Sequence, residues 1–234
     1  MNVFEQLKAI FTTPKFLMLL LKGMRVTLLI SSAAALIGLV LGIAVALVQL
    51  APKNRWTAVP KFIASFYVTV IRGTPMALQL FIMYFVVFAI RGFPAEVTAI
   101  LAFGINSGAY VSENIRGGIL SVDIGQTEAG RALGLSRGTT MAKIVIPQAI
   151  KNVLPSIGNE LIALIKETSI VSMISLYDLT AAAKILAGGS YLANYAAPMI
   201  AAALFYLAIV YLLTFLIKLL EKRLRAGDKR SKAV

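Results

Sequence analysis

EAGRALGLSRGTTMAKIVIPQAI, residues 128–150, carries charge, glycine and proline between long apolar runs, and its reading decides the fold. A segment this polar does not lie in hydrocarbon, so it divides the chain into apolar stretches before it and after it. Within it, Glu128 to Leu135 has helical composition with an acid near its start, and Ser136-Arg137-Gly138-Thr139 reads as a turn. A second short helix is expected from Thr139 or Thr140 through Val145, stopping near Pro147. Two short helices with small residues Ala129, Gly130, Ala132 and Gly134 on the first make a knob that another protein can grip.

The surrounding chain has the composition of a membrane protein. Of 234 residues, 59% are hydrophobic and 14% charged, and the mean hydropathy is +0.85. With neither cysteine nor histidine, the chain offers no disulfide, thiolate nucleophile, histidine metal site or imidazole acid/base. The ten acidic residues show no metal-ligand spacing, and no GxxxxGK[ST] phosphate loop occurs, so no enzyme reading has residues to stand on. The net charge of +13 sits beside apolar runs rather than on an aromatic-lined stripe, which argues against nucleic acid as a partner. Residues 1–15 lack the pattern of a removable signal peptide, so the first span is expected to act as its own insertion signal.

Five membrane spans are expected, and the chain is read as one all-α polytopic domain over residues 1–234. The first covers residues 26–50 and holds Gly38 and Gly42 at GxxxG spacing, which permits close helix approach but is also ordinary in an apolar run. The second covers about 62–90 and is kinked or discontinuous at Arg72-Gly73-Thr74-Pro75. The third covers about 95–115, the fourth 154–176 and the fifth 198–220, with a loop or partial helix over 185–197 that holds Gly188, Gly189 and Asn194. With the C-terminus inside, fifteen basic residues fall in inside segments and five (Lys8, Lys15, Lys22, Arg91 and Lys184) in outside ones, with Arg25, Arg72 and Lys166, at or within the spans, left uncounted. By the positive-inside rule the N-terminus is then outside, and the 116–151 loop and the basic tail 221–234 are cytoplasmic, the tail anchored on anionic lipid.

A translocation path shows itself as polar groups inside spans. Asn106, Tyr110 and Glu113 recur at helical spacing on the third span, with Ser107 alongside, and Glu160 and Thr168 mark one side of the fourth. Thr74, with Gly73, at the break in the second span could offer free backbone N–H groups to a carboxylate. Arg72 could be a gate or a carboxylate ligand. The alternative for Glu113 is a structural ion pair with Arg116, and for Arg72 an interfacial snorkelling side chain.

Glu128-Ala129-Gly130, then Gly134, then Ile144-Val145-Ile146-Pro147 resembles the EAA loop of ATP-binding-cassette (ABC) importer permeases, with Gly130 and Ile146 as its two mild departures. IRGTP at 71–75, ENIRGGI at 113–119, GQTEAGRALG at 125–134 and GNELIALIKETSIVS at 158–172 are similar to the polar amino-acid permeases of the histidine and glutamine type. The resemblance runs from about residue 20 to the C-terminus. It implies a type I ABC importer permease fold in a bacterial inner membrane, importing a polar, by preference basic, L-amino acid. It implies that Glu128, Ala129, Gly130 and Gly134, with Arg131 and Arg137 nearby, dock in a groove of a cytoplasmic ATPase subunit dimer. ATP and magnesium would be bound there and no cofactor by this chain. The further partners implied are a second permease copy or a similar permease, and an extracytoplasmic amino-acid-binding protein. The competing readings are a gradient-driven secondary transporter or channel, for which no second copy of the IRGTP or GNE segment is found, and a scaffold subunit without transport.

Overall fold

A computed structural model describes residues 2–189 and 195–231, with side chains described as far as residue 224 in the last helix. Among the described residues there are helices and turns and no strand. The helices are α1 (Val3–Thr12), α2 (Pro14–Leu50), α3 (Arg55–Arg72), α4 (Met76–Ile82, prolonged by a π turn at Met83–Val87) and α5 (Ala95–Leu120). They continue with α6 (Ile124–Ala132), α7 (Arg137–Thr140, prolonged by a π turn at Met141–Val145) and α8 (Ile146–Glu167, prolonged by a 3-10 turn at Thr168–Ile174). The last are α9 (Leu179–Gly188) and α10 (Ala196–Ser231).

Several helices outrun their expected spans. The first begins at Pro14, whose missing N–H costs nothing in an opening turn, and its 37 residues reach about 55 Å. The second is interrupted where expected: α3 stops at Arg72 and Pro75 precedes α4. Among the described residues, α2 and α10 as far as Leu224 are long and apolar enough to cross a membrane. The number rises to up to four if the interrupted pairs α3–α4 and Arg137–Ile174 with α9 each count as one span. Helix α5, the expected third span, is 26 residues long, but its polar face keeps it out of that set. Of the expected 185–197 loop, Ile185 to Gly188 is helical, and Asn194 lies outside the described residues.

The chain forms two compact units: residues 1–37, 74–105 and 161–212 in one, and 38–73, 106–160 and 213–234 in the other. In the first unit, Ile10, Leu20 and Leu186 pack with Ala182, Ala183, Ala197 and Ala201, small side chains that let α1, α2, α9 and α10 close together. A second cluster there joins Ile30, Leu80, Phe103, Leu164 and Val171. Asp178, wholly buried, caps α9 by accepting from the N–H groups of Ala181 (2.8 Å) and Thr180 (3.0 Å). The second unit is joined by close backbone approach: a Cβ on Gly42 would lie 2.5 Å from Val111 Cγ1, and one on Gly38 would lie 2.7 Å from Ser107 Oγ. The GxxxG spacing on α2 is therefore a packing surface against α5. Leu36, Val40 and Leu47 stand exposed on α2, about 200° round the helix from those glycines.

Candidate functional site

The 120s and 130s build the expected knob, with different boundaries. Asp123 accepts from Gly125 N–H at 2.7 Å and starts α6 four residues ahead of Glu128. The turn falls at Leu133 to Ser136, where Gly134 adopts φ +80°, a left-handed conformation that a side chain resists. Ser136 caps α7 through Thr139 N–H at 3.2 Å, so Arg137, Gly138 and Thr139 are helical rather than part of the turn. Pro147 does not end a helix. The preceding π turn, in which Ile146 N–H bonds to Met141 O, carries the chain directly into α8 with Pro147 in its first turn, where a missing donor is harmless.

Of the four residues expected to form the fitted surface and the two arginines expected nearby, Glu128, Ala129, Arg131, Gly134 and Arg137 are exposed. Gly130 is buried: a Cβ there would lie 2.7 Å from Thr140 Cγ2 and 3.1 Å from Ile144 Cδ1, so its missing side chain lets α6 close on the following turn. That corrects its expected place on the outer surface. The exposed apolar tip is Leu133, 79% accessible, between Ala132 and Gly134. An apolar residue at the turn of an otherwise polar loop was the signal available in the sequence. Gln148 Nε2 donates to Gln126 Oε1 at 3.2 Å and Asn152 Nδ2 to Ser121 Oγ at 2.9 Å, fastening the knob's base to α8.

The same unit holds Asn106, Ser107, Tyr110, Glu113 and Glu160. Asn106 and Ser107 are buried, and Ser107 Oγ has no hydrogen-bond partner. Glu113 takes two hydrogen bonds from Arg116, from Nε at 2.9 Å and Nη2 at 2.7 Å. The structural ion pair anticipated for this glutamate is therefore present. Arg72 joins it from α3, with Nη1 3.6 Å from Glu113 Oε2 and its guanidinium 5.2 Å from the centre of the Tyr110 ring. Glu113, Arg116 and Arg72 line an open cleft of about 440 Å³ together with Gln49, Lys61, Ser65 and Thr69, none of which was singled out in the sequence. Only their convergence from α2 and α3 onto α5 marks them.

Thr74 and Thr168 belong to the other unit. Gln79 Nε2 donates to Thr74 Oγ1 at 2.7 Å and to Thr74 O at 3.2 Å, spanning Pro75. Thr168, fully buried, donates to Ile165 O at 2.7 Å. The N–H of Gly73 is not free, since it donates to Thr69 O at 2.9 Å and so closes the end of α3. No group of three or more acidic residues among the described residues is arranged to hold a metal ion.

Residues 38–226 match the sequence profile of the binding-protein-dependent transport system inner membrane component. The chain is 42% identical over 211 residues to the arginine transport system permease protein ArtQ of Bacillus subtilis (strain 168), covering 89% of this chain and 94% of that protein. It is 43% identical over 214 residues to the putative glutamine transport system permease protein GlnP of Rickettsia bellii (strain RML369-C), covering 91% and 95%. Among solved structures, an amino acid ABC transporter crystallised with histidines superposes with a TM-score of 0.83 at 39% identity, over 92% of this chain and 98% of that one. The inward-facing MetNI methionine ABC transporter reaches 0.75 at 19% identity, over 91% and 99%, a likeness of fold.

Proposed function

Because the chain belongs to the family of binding-protein-dependent transport system inner membrane components, we propose that it is the membrane-spanning subunit of an ATP-driven amino-acid importer. Its substrate is a polar L-amino acid, by preference basic. The relatives named for arginine and glutamine transport support an amino acid, and Glu160 supports a cationic one, Glu113 being already paired with Arg116. Catalysis belongs to a separate cytoplasmic ATPase dimer, which holds ATP and magnesium. A second permease copy or a similar permease completes the path, and an extracytoplasmic binding protein delivers the substrate.

The observation that carries this reading is the α6–α7 knob, a small, capped helical pair that exposes Glu128, Ala129, Arg131, Leu133, Gly134 and Arg137 together. Fitted into a groove of the ATPase, the knob transmits nucleotide-driven closure to the spans, because its base is tied to α8. Alternating access then moves the amino acid past Asn106, Ser107, Tyr110, Glu113 and Glu160. The N-terminus lies outside and the C-terminus in the cytoplasm.

ATP hydrolysis by the permease co-expressed with its ATPase tests the coupling. Glu128→Lys, Leu133→Asp and Gly134→Asp all change exposed positions; a Cβ on Gly134 would meet nothing within 4 Å, but its φ of +80° strains any side chain, so the first two variants test the surface itself. They are expected to abolish co-purification or substrate-coupled hydrolysis. Unchanged coupled hydrolysis in all three, or no ATPase bound to the wild type, would overturn this reading and favour a gradient-driven carrier.

A further inference from the structure

The second unit holds another cavity, an apolar groove between α2, α5 and α8 that the transport path does not use. Gly38 and Gly42 seat α2 on α5, and Gly118 seats α5 on α8, where a Cβ would strike Val153 and lie 3.5 Å from Ala149 O. Both neighbours therefore lean on α5 and leave a slot between them. Leu39 and Ile43 stand one residue on from the two glycines, about 100° round the helix, and with Leu47 they form one wall. Ile115 and Ile119 of α5 form the floor, and α8 from Ile146 to Ile157 forms the other wall. All eleven lining residues are isoleucine, leucine, valine or alanine, so nothing in the slot can hydrogen-bond an occupant through its side chain.

Size and charge select the occupant. At 1.5 Å per residue the α2 wall is about 12 Å long and the α8 wall about 16 Å, close to half of the roughly 30 Å of hydrocarbon, which is one leaflet. The groove's volume of about 290 Å³ spread over that length gives a cross-section of roughly 20 Å², whereas a helix about 10 Å across needs roughly four times as much. Helices also join in membranes through small residues, and the glycines here already close the internal contacts. A single hydrocarbon chain fits where a helix of a second copy does not. At one end the groove meets charge: segments 51–61, which follow α2, and 137–151, which lead into α8, hold six basic residues and no acidic one. Lys53, Arg55 and Lys143 are exposed, Lys143 about one turn ahead of Ile146. We propose that the groove holds one acyl chain of an anionic phospholipid, with its phosphate at the Lys143 end. This goes beyond the importer reading, and only the choice of the cytoplasmic leaflet rests on the orientation given above. The lipid would lie against the first turns of α8, where Gln148 and Asn152 fasten the knob.

Native mass spectrometry of the permease–ATPase complex, released from detergent with added dioleoyl phosphatidylglycerol or dioleoyl phosphatidylcholine, tests it by the lipid each complex retains. The wild type is expected to hold phosphatidylglycerol at least fivefold more tightly than phosphatidylcholine. Ile119→Trp fills the groove from its floor and is expected to weaken phosphatidylglycerol at least fivefold. Ile43→Trp, 43% exposed in the wild type, does the same from the α2 wall, so the result does not hang on one variant folding. Leu212→Trp, at an exposed position of α10 in the other unit, controls for loosely held surface lipid and is expected to stay within twofold. Lys143→Gln is expected to bring phosphatidylglycerol within twofold of phosphatidylcholine without weakening the latter. Wild-type affinity for phosphatidylglycerol in both groove variants, no preference between the lipids in the wild type, or an undiminished preference in Lys143→Gln would overturn the proposal. So would loss of a second permease copy from the groove variants with lipid retained, which would make the groove an interface between copies. None of these outcomes bears on coupled ATP hydrolysis by the wild type, on which the importer reading stands or falls.

Discussion

Gly42 and Gly117 sit on helices of the same unit and face opposite demands. A methyl on Gly42 would meet Val111 Cγ1 at 2.5 Å and Gly108 O at 3.1 Å, whereas one on Gly117 would meet nothing within 4 Å. Gly42→Ala is expected to destabilise by about 1–3 kcal/mol through overpacking. Gly117→Ala is expected to stabilise by about 0.4–1 kcal/mol through the entropy of the unfolded chain. Thermal melts followed by circular dichroism, in one detergent, should place the two variants on opposite sides of the wild type. Glu113→Gln would leave Arg72 and Arg116 facing each other without their shared carboxylate, at a cost of about 1–2 kcal/mol given how exposed both guanidiniums are. The same melt reads it, and no change would show that the pair contributes nothing to the fold. The i, i+3 spacing of Glu113 and Arg116 was legible in the sequence because it lies within one helix. Arg72 and Gln49 were not, because their approach to Glu113 depends on how three helices pack.

At the scale of elements, boundaries are set by single capping groups that hydrophobic pattern does not weigh. Asp123 and Ser136 moved both knob helices earlier than composition suggested, and Pro147 proved compatible with helix because a π turn precedes it. The break before Pro75, in contrast, was readable from four residues, since proline constrains both itself and its predecessor wherever it stands. Ser136→Ala should cost the first turn of α7 about 1 kcal/mol. Hydrogen–deuterium exchange is then expected to run about fivefold faster across 137–145 and unchanged in the middle of α8. Protection equal to wild type over 137–145 would show that packing of Thr140 and Val145, both buried, fixes the helix without its cap.

For the whole molecule, the basic residues counted to either side of the spans fall into the two compact units the same way. All five of the outside group belong to one unit and fourteen of the inside group to the other, with Lys232 outside the described residues. Because the protein has no cysteine, single replacements report cleanly. An impermeant thiol reagent is expected to label Lys8→Cys in intact cells and Lys53→Cys only in inverted vesicles, both positions being exposed. The reverse pattern would overturn the orientation. Overall class was legible because apolar content is a sum over the chain, whereas the path through the protein depends on which polar faces meet.

The two longest helices, of 37 and 36 residues, each have about 25 Å more rod than the roughly 30 Å of hydrocarbon they must cross. Charges on that surplus, Lys15, Lys22 and Arg25 on α2 and Lys218, Lys222 and Arg223 on α10, keep it out of the hydrocarbon, so a change of thickness is met by tilt of the apolar run between, at a cost of only fractions of a kcal/mol per Å. A bacterium that lengthens its acyl chains as it warms would therefore change the surroundings of this protein without changing what α2 and α10 bury.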